Sequence, residues 1–211
     1  MTAANDDLQR LAGLAASLRP RLAGEKPLPR LLFLTDPERT PDPEAVAARL
    51  PAGAGVIYRA FGAPDTLAVA LRLEAIARDR GLVLLIGADA ALAGACGADG
   101  VHLPERALGE AADLRAAHPD WIVTGAAHSL DAARRAGTAG CDAALVSAVF
   151  ASGSASAGAP MGAAAFAALV AAAPLPVYAL GGVNARTAPR LSGSGAQGFA
   201  MVEGLAEAVR T

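Results

Sequence analysis

Lysine is nearly missing from this chain. Lys26 is the only one in 211 residues, and every other basic side chain is Arg or His. A mechanism that needs a lysine amine, as a Schiff base or a phosphate clamp, would have to use Lys26. Cysteine is almost as scarce: Cys96 and Cys141 stand alone, outside any C-x-x-C or similar spacing. That excludes a disulfide framework and a thiolate zinc site, and leaves two packed thiols suited to a reducing, cytoplasmic setting. No run of five like charges occurs and the net charge is −2, so neither nucleic acid nor an anionic membrane is an expected partner. The arginines at 10, 19, 21 and 30 alternate with Leu and Pro and read as a solvated helix face. No apolar stretch reaches the ~18 residues needed to cross a bilayer without a Gly break or a charge. The N-terminus, with Asp6 and Asp7 and no apolar core region, does not read as a signal peptide.

What is present is a regular alternation. A hydrophobic fraction of 54% over 211 residues allows one large core. Residues 5–22 carry Leu8, Leu11, Leu14, Leu18 and Leu22 at helical spacing, ended by Pro27 and Pro29. After that, short apolar runs begin near 31, 55, 82, 99, 121, 142, 176 and 198, separated by helical segments. Runs so short and apolar on both faces fit strands of a buried parallel sheet. Eight strands at about 24 residues per unit predict a lean α/β (β/α)8 TIM barrel with an extra N-terminal helix. Residues 1–29 would be the helix and linker, and residues 30–211 a single barrel domain. A recurrent entry, seen in Gly97-Ala98-Asp99-Gly100-Val101 and Gly140-Cys141-Asp142-Ala143, reads as a helix-terminating Gly followed by a tight turn into a strand. A doubly wound open sheet is the competitor, but the chain has eight units and no G-x-G-x-x-G fingerprint.

In such barrels the chemistry sits on the loops after the strands. The polar residues there are Asp36, Arg59, Asp89, His102, Glu105, His128, the segment 150–160, Gly181-Gly182 and Glu203. His102 and His128 suit acid–base work because imidazole titrates near pH ~6.5. His102, one residue inside an apolar run, reads rather as a core histidine donating to a backbone carbonyl. His128 precedes Ser129, a helix cap, and is more exposed. Gly181-Gly182-Val183-Asn184 could cradle an anion on backbone N–H groups, though a tight turn explains it as well. The Ser/Gly/Ala composition of 151–157 predicts a mobile lid or disordered segment.

Several stretches in fixed order carry a resemblance: Leu34-Thr35-Asp36, Gly97-Ala98-Asp99-Gly100-Val101-His102-Leu103, His128-Ser129-Leu130, Val149-Phe150 and Ala179-Leu180-Gly181-Gly182-Val183-Asn184. Together they resemble the thiamine-phosphate synthase family, including its relative the TenI-type thiazole tautomerase, over about residues 30–205. The resemblance implies a (β/α)8 barrel of thiamine biosynthesis with a small phosphorylated heterocycle as substrate, and a possible homodimer. The family's synthase joins hydroxymethylpyrimidine diphosphate to thiazole phosphate with Mg²⁺. Its pattern keeps Arg59 here, but Gly87-Ala88 stands where an Asn-Asp pair is usual. Ala107 stands for a metal-binding Asp, residues 151–157 for a Pro-Thr-x-Thr-Lys loop, and Glu203 for a phosphate-binding Ser. Asp89 and Glu105 are the remaining candidates for Mg²⁺. The tautomerase moves a proton on a thiazole carboxylate phosphate without metal, through a histidine that matches His128.

The resemblance thus implies His128 and Arg59 as catalytic residues, with Gly181, Gly182, Asn184, His102, Glu203, Ser152 and Ser154 around substrate and phosphate. The alternative is an inactive barrel that binds a thiazole- or pyrimidine-like ligand or a protein partner.

Overall fold

A computed structural model describes residues 3–154 and 158–210. Eight parallel strands close on themselves in sequence order: β1 (Leu31–Leu34), β2 (Gly55–Tyr58), β3 (Val83–Gly87), β4 (Gly100–Leu103), β5 (Ile122–Ala127), β6 (Ala143–Val146), β7 (Val177–Ala179) and β8 (Gly198–Met201). β8 pairs back onto β1 through Leu31↔Phe199 and Phe33↔Met201. The helices are α1 (Ala3–Ser17), α2 (Pro43–Ala47), α3 (Thr66–Arg80), α4 (Ala90–Cys96), α5 (Ala111–Ala117), α6 (Leu130–Ala139), α7 (Gly162–Ala172) and α8 (Glu203–Arg210). The (β/α)8 TIM barrel and its additional N-terminal helix are therefore present, and the open-sheet alternative is excluded. None of the helices described is long and apolar enough to cross a membrane.

Strand alternation divides the core in two. Leu32, Leu34, Ile57, Leu85, Ile122, Leu145, Tyr178 and Ala200 pack together inside the barrel. Phe33, Val56, Leu84, Val101, Val123 and Phe199 face the helices. Tyr178 spans the base of the interior, its hydroxyl donating to the Pro29 carbonyl at 2.6 Å.

Three elements differ from the sequence reading. α1 ends at Ser17 rather than near Leu22, because Pro20 lacks an N–H and disfavours helical geometry at Arg19. Arg21 and Arg30 accordingly lie beyond α1, where they donate to carbonyls of Val170 and Gln197 instead of forming a solvated helix face. After β7 the chain forms only a short 3-10 turn (Ala188–Leu191), with Pro189 in its first turn. A 3-10 segment (Glu105–Glu110) likewise precedes α5. Both thiols are buried, and desolvation with the Asp142 charge pushes the Cys141 thiol up to about 12.

Candidate functional site

The carboxyl ends of β1, β2, β6, β7 and β8 surround a cavity of about 230 Å³. Arg39, Arg59, Arg186, Glu203 and Glu207 supply its charge, and Ser147, Ser152, Ser154 and Asn184 its neutral polar groups. Gly181 and Gly182 form one wall, both with positive φ (89° and 63°). At Gly182 an added Cβ would fall 2.2 Å from the Ala151 carbonyl oxygen, so only glycine allows the β7 loop to lie against the segment after β6. Asn184 shapes this loop from within: its Oδ1 accepts from the N–H groups of Arg186 and Thr187, and Thr187 Oγ1 donates to the Gly182 carbonyl.

Arg59 leaves β2 into the mouth. Its backbone N–H donates to Thr35 Oγ1 at 2.8 Å and its Nε to the Thr35 carbonyl at 2.8 Å. Gly87 makes room for it, since a Cβ there would meet Arg59 Cγ at 3.0 Å. Burial pulls the guanidinium down to about 10 against the opposing charge of Asp36, so it stays protonated at neutral pH. Its Nη2 is buried without a hydrogen-bond partner among the described residues, and the nearest carboxylate oxygen, Asp36 Oδ2, is 3.7 Å away. A buried cationic donor left unsatisfied is costly.

Arg39 ties the rim together. Its Nη2 donates to Asp36 Oδ2 at 2.7 Å, which holds that carboxyl below its usual range, and its Nη1 stands 3.8 Å from Glu203 Oε2. Glu203 opens α8 with its side chain 47% exposed.

A second group gathers at the ends of β4 and β5. His128 Nδ1 lies 2.8 Å from Glu105 Oε2, which also accepts the His128 backbone N–H at 3.1 Å, while Glu105 Oε1 accepts from Arg135 Nη2 at 2.6 Å. Burial raises the Glu105 carboxyl, but the hydrogen bonds and charge of His128 and the charge of Arg135 outweigh it and leave the group lowered. His102 is different: 7% exposed, it points inside the barrel and its Nδ1 sits 3.0 Å from Thr124 Oγ1. Burial first, and the charge of Arg59 second, push it down to about 3, so it is neutral at physiological pH.

Of the residues singled out from sequence, Arg59, Ser152, Ser154, Gly181, Gly182, Asn184 and Glu203 line the cavity, and His102, His128, Asp89 and Glu105 do not. The 155–157 part of the segment read as a lid lies outside the described residues. Arg39 and Arg186 were missed. Their signals were the strand-exit Asp36 three residues before Arg39, and the position of Arg186 two residues after Asn184 in the Gly-Gly loop. Lys26 is at the opposite face, donating to the Trp121 carbonyl and standing 3.7 Å from Asp142, so no lysine serves the mouth.

The donor set fits Mg²⁺ poorly. Asp89 Oδ1 caps α4 through the Leu92 N–H, and both oxygens of Glu105 are committed as above. No group of three or more His, Cys, Asp or Glu that could hold a metal occurs among the described residues.

Three comparisons bear on this geometry. The sequence model of the family described as thiamine monophosphate synthase matches residues 31–205. A thiamine-phosphate synthase of Thiobacillus denitrificans is 34% identical over 184 residues, covering 80% of this chain and 84% of the relative. One from Methylococcus capsulatus is 30% identical over 180 residues, covering 82% and 80%. The solved structure of thiamine phosphate pyrophosphorylase from Pyrococcus furiosus superposes with a TM-score of 0.72 at 22% identity, covering 93% of this chain and 97% of that one, a likeness of fold.

Proposed function

From the premise that this chain belongs to the thiamine monophosphate synthase family, we propose that it acts in thiamine biosynthesis by moving a proton on a thiazole phosphate-type ligand, without a metal. His128 is the acid/base. Its side chain is 47% exposed and oriented by Glu105, at the same barrel end as the arginine-lined cavity, and this is the observation that carries the reading. The Arg59 guanidinium takes the carboxylate of the ligand. The backbone of Gly181-Gly182, with Ser152, Ser154 and the Asn184 loop, takes the phosphate, and Arg39 and Arg186 offset its charge. Glu203 has to swing from Arg39 as the phosphate enters.

A proton shift needs little more than this. His128 Nε2 accepts a proton from one ring position and returns it to another, so no bond to a leaving group breaks. Condensation with a diphosphate would require about three departing charges to be neutralised, typically by metal and cations. The commitments of Asp89 and Glu105 speak against that step, and none is routed through Mg²⁺ here.

His128→Asn tests the proposal. Turnover of thiazole carboxylate phosphate should fall by ~10²–10⁴-fold, the usual contribution of general acid–base catalysis, while ligand affinity stays within about twofold. Turnover retained in the variant would remove the acid/base role of His128, and turnover absent from the native protein with thiamine precursors would return the chain to the reading of a ligand-binding barrel without catalysis.

A further inference from the structure

We propose that Glu105, braced by Arg135, is a positioning residue that keeps the proton of His128 on Nδ1 and leaves Nε2 as the nitrogen open to a ligand. The inference rests on the acid/base reading of His128 and adds to it which ring nitrogen reacts and what selects it.

The argument starts from donors and acceptors. An ionised carboxylate only accepts hydrogen bonds, whereas a neutral imidazole has one N–H and one lone pair. His128 Nδ1 lies 2.8 Å from Glu105 Oε2, so the stable neutral tautomer carries its proton there. The same oxygen accepts the His128 backbone N–H at 3.1 Å, which fixes the main chain and the ring on one acceptor. Glu105 is in turn held from the far side, with Arg135 Nη2 2.6 Å from Oε1. Three separate elements converge: the 3-10 segment after β4, the end of β5, and α6. The carboxyl is lowered by these partners despite its burial, so it is the ionised acceptor the arrangement needs.

Glu105 is the charged group hydrogen-bonded to the imidazole, and Arg135 lies behind it on the other carboxylate oxygen.

The experiment is long-range 1H–15N spectroscopy of the protein labelled with 15N-histidine, with His128→Asn assigning the His128 signals among the three histidines. The native protein should show His128 protonated at Nδ1 when neutral. Glu105→Gln, which keeps the side-chain shape, should mix the two tautomers, because its amide can either accept from Nδ1 or donate to it. In kinetics, kcat in Glu105→Gln should drop with KM nearly constant. Nε2 protonated in the native protein, or a tautomer unchanged in Glu105→Gln, would overturn the proposal. Its failure is separable from that of the function: the spectra can be as expected while His128→Asn keeps turnover, which removes the acid/base role only. The spectra can also fail while His128→Asn abolishes turnover, which removes the Glu105 role only.

Discussion

His102 lies within β4 and His128 follows the neighbouring β5, and the two meet opposite surroundings. One points into the barrel beside Thr124, the other outward onto a carboxylate. Desolvation keeps the first neutral, and this has a consequence for stability. The folded state holds His102 near 3 whereas an unfolded histidine titrates near ~6.5, so in that window the unfolded chain binds more protons. The stabilisation from this group is present above pH ~6.5 and is lost as pH falls toward 3. Between pH 7 and 4.5 the native protein should lose about 2–3 kcal/mol more than a His102→Gln variant, measured by urea denaturation at both pH values. Parallel losses in the two proteins would show that burial of His102 does not control its proton.

At the scale of the element, the mouth is set by the first turn of α8 and the glycine loop after β7. A helix N-terminus favours negative charge by about 0.3–1 kcal/mol, and Glu203 supplies it internally. The same carboxylate, 3.8 Å from Arg39, occupies charge that an entering phosphate would use. Helix stability and anion affinity therefore pull against each other at this residue. Glu203→Ser should strengthen binding of inorganic phosphate about tenfold by calorimetry, equivalent to about 1.4 kcal/mol, while lowering the melting temperature slightly. Unchanged affinity would mean that phosphate does not reach this turn.

At the scale of the molecule, closure of the barrel depends on how closely neighbouring strands approach. Gly100 opens β4 with φ of 153°, and an added Cβ would stand 2.0 Å from the Ile122 carbonyl oxygen and 2.7 Å from its nitrogen. The obstacle is the Ile122 backbone in β5, so no side chain can turn away to relieve it. Gly100→Ala should cost more than about 4 kcal/mol, a large part of an ordinary domain's 5–15 kcal/mol, and abolish the cooperative thermal transition. Gly13→Ala, in α1 with nothing within 4 Å of the new methyl, is the control and should be neutral or stabilising by up to about 1 kcal/mol. A cooperative transition near the native temperature in Gly100→Ala would refute the steric argument.

Local pattern was enough for the barrel. Leu31–Leu34, Gly100–Leu103 and the runs like them are short and apolar on both faces, a state that only a sheet covered on both sides satisfies, and their spacing leaves room for one helix each. Local pattern also placed Arg59, Gly181 and Glu203 at strand ends, because the direction of each strand fixes which loops share a face. Which of those residues meet was not local. Arg39 reaches Glu203 only because β8 closes onto β1, and Glu105 reaches His128 and Arg135 only because β4, β5 and α6 pack side by side. The unpaired Nη2 of Arg59 and the neutral imidazole of His102 depend on solvent being excluded by residues distant in the chain. Burial and partnership are properties of the closed barrel, and they decided which side chains hold a charge and where it points.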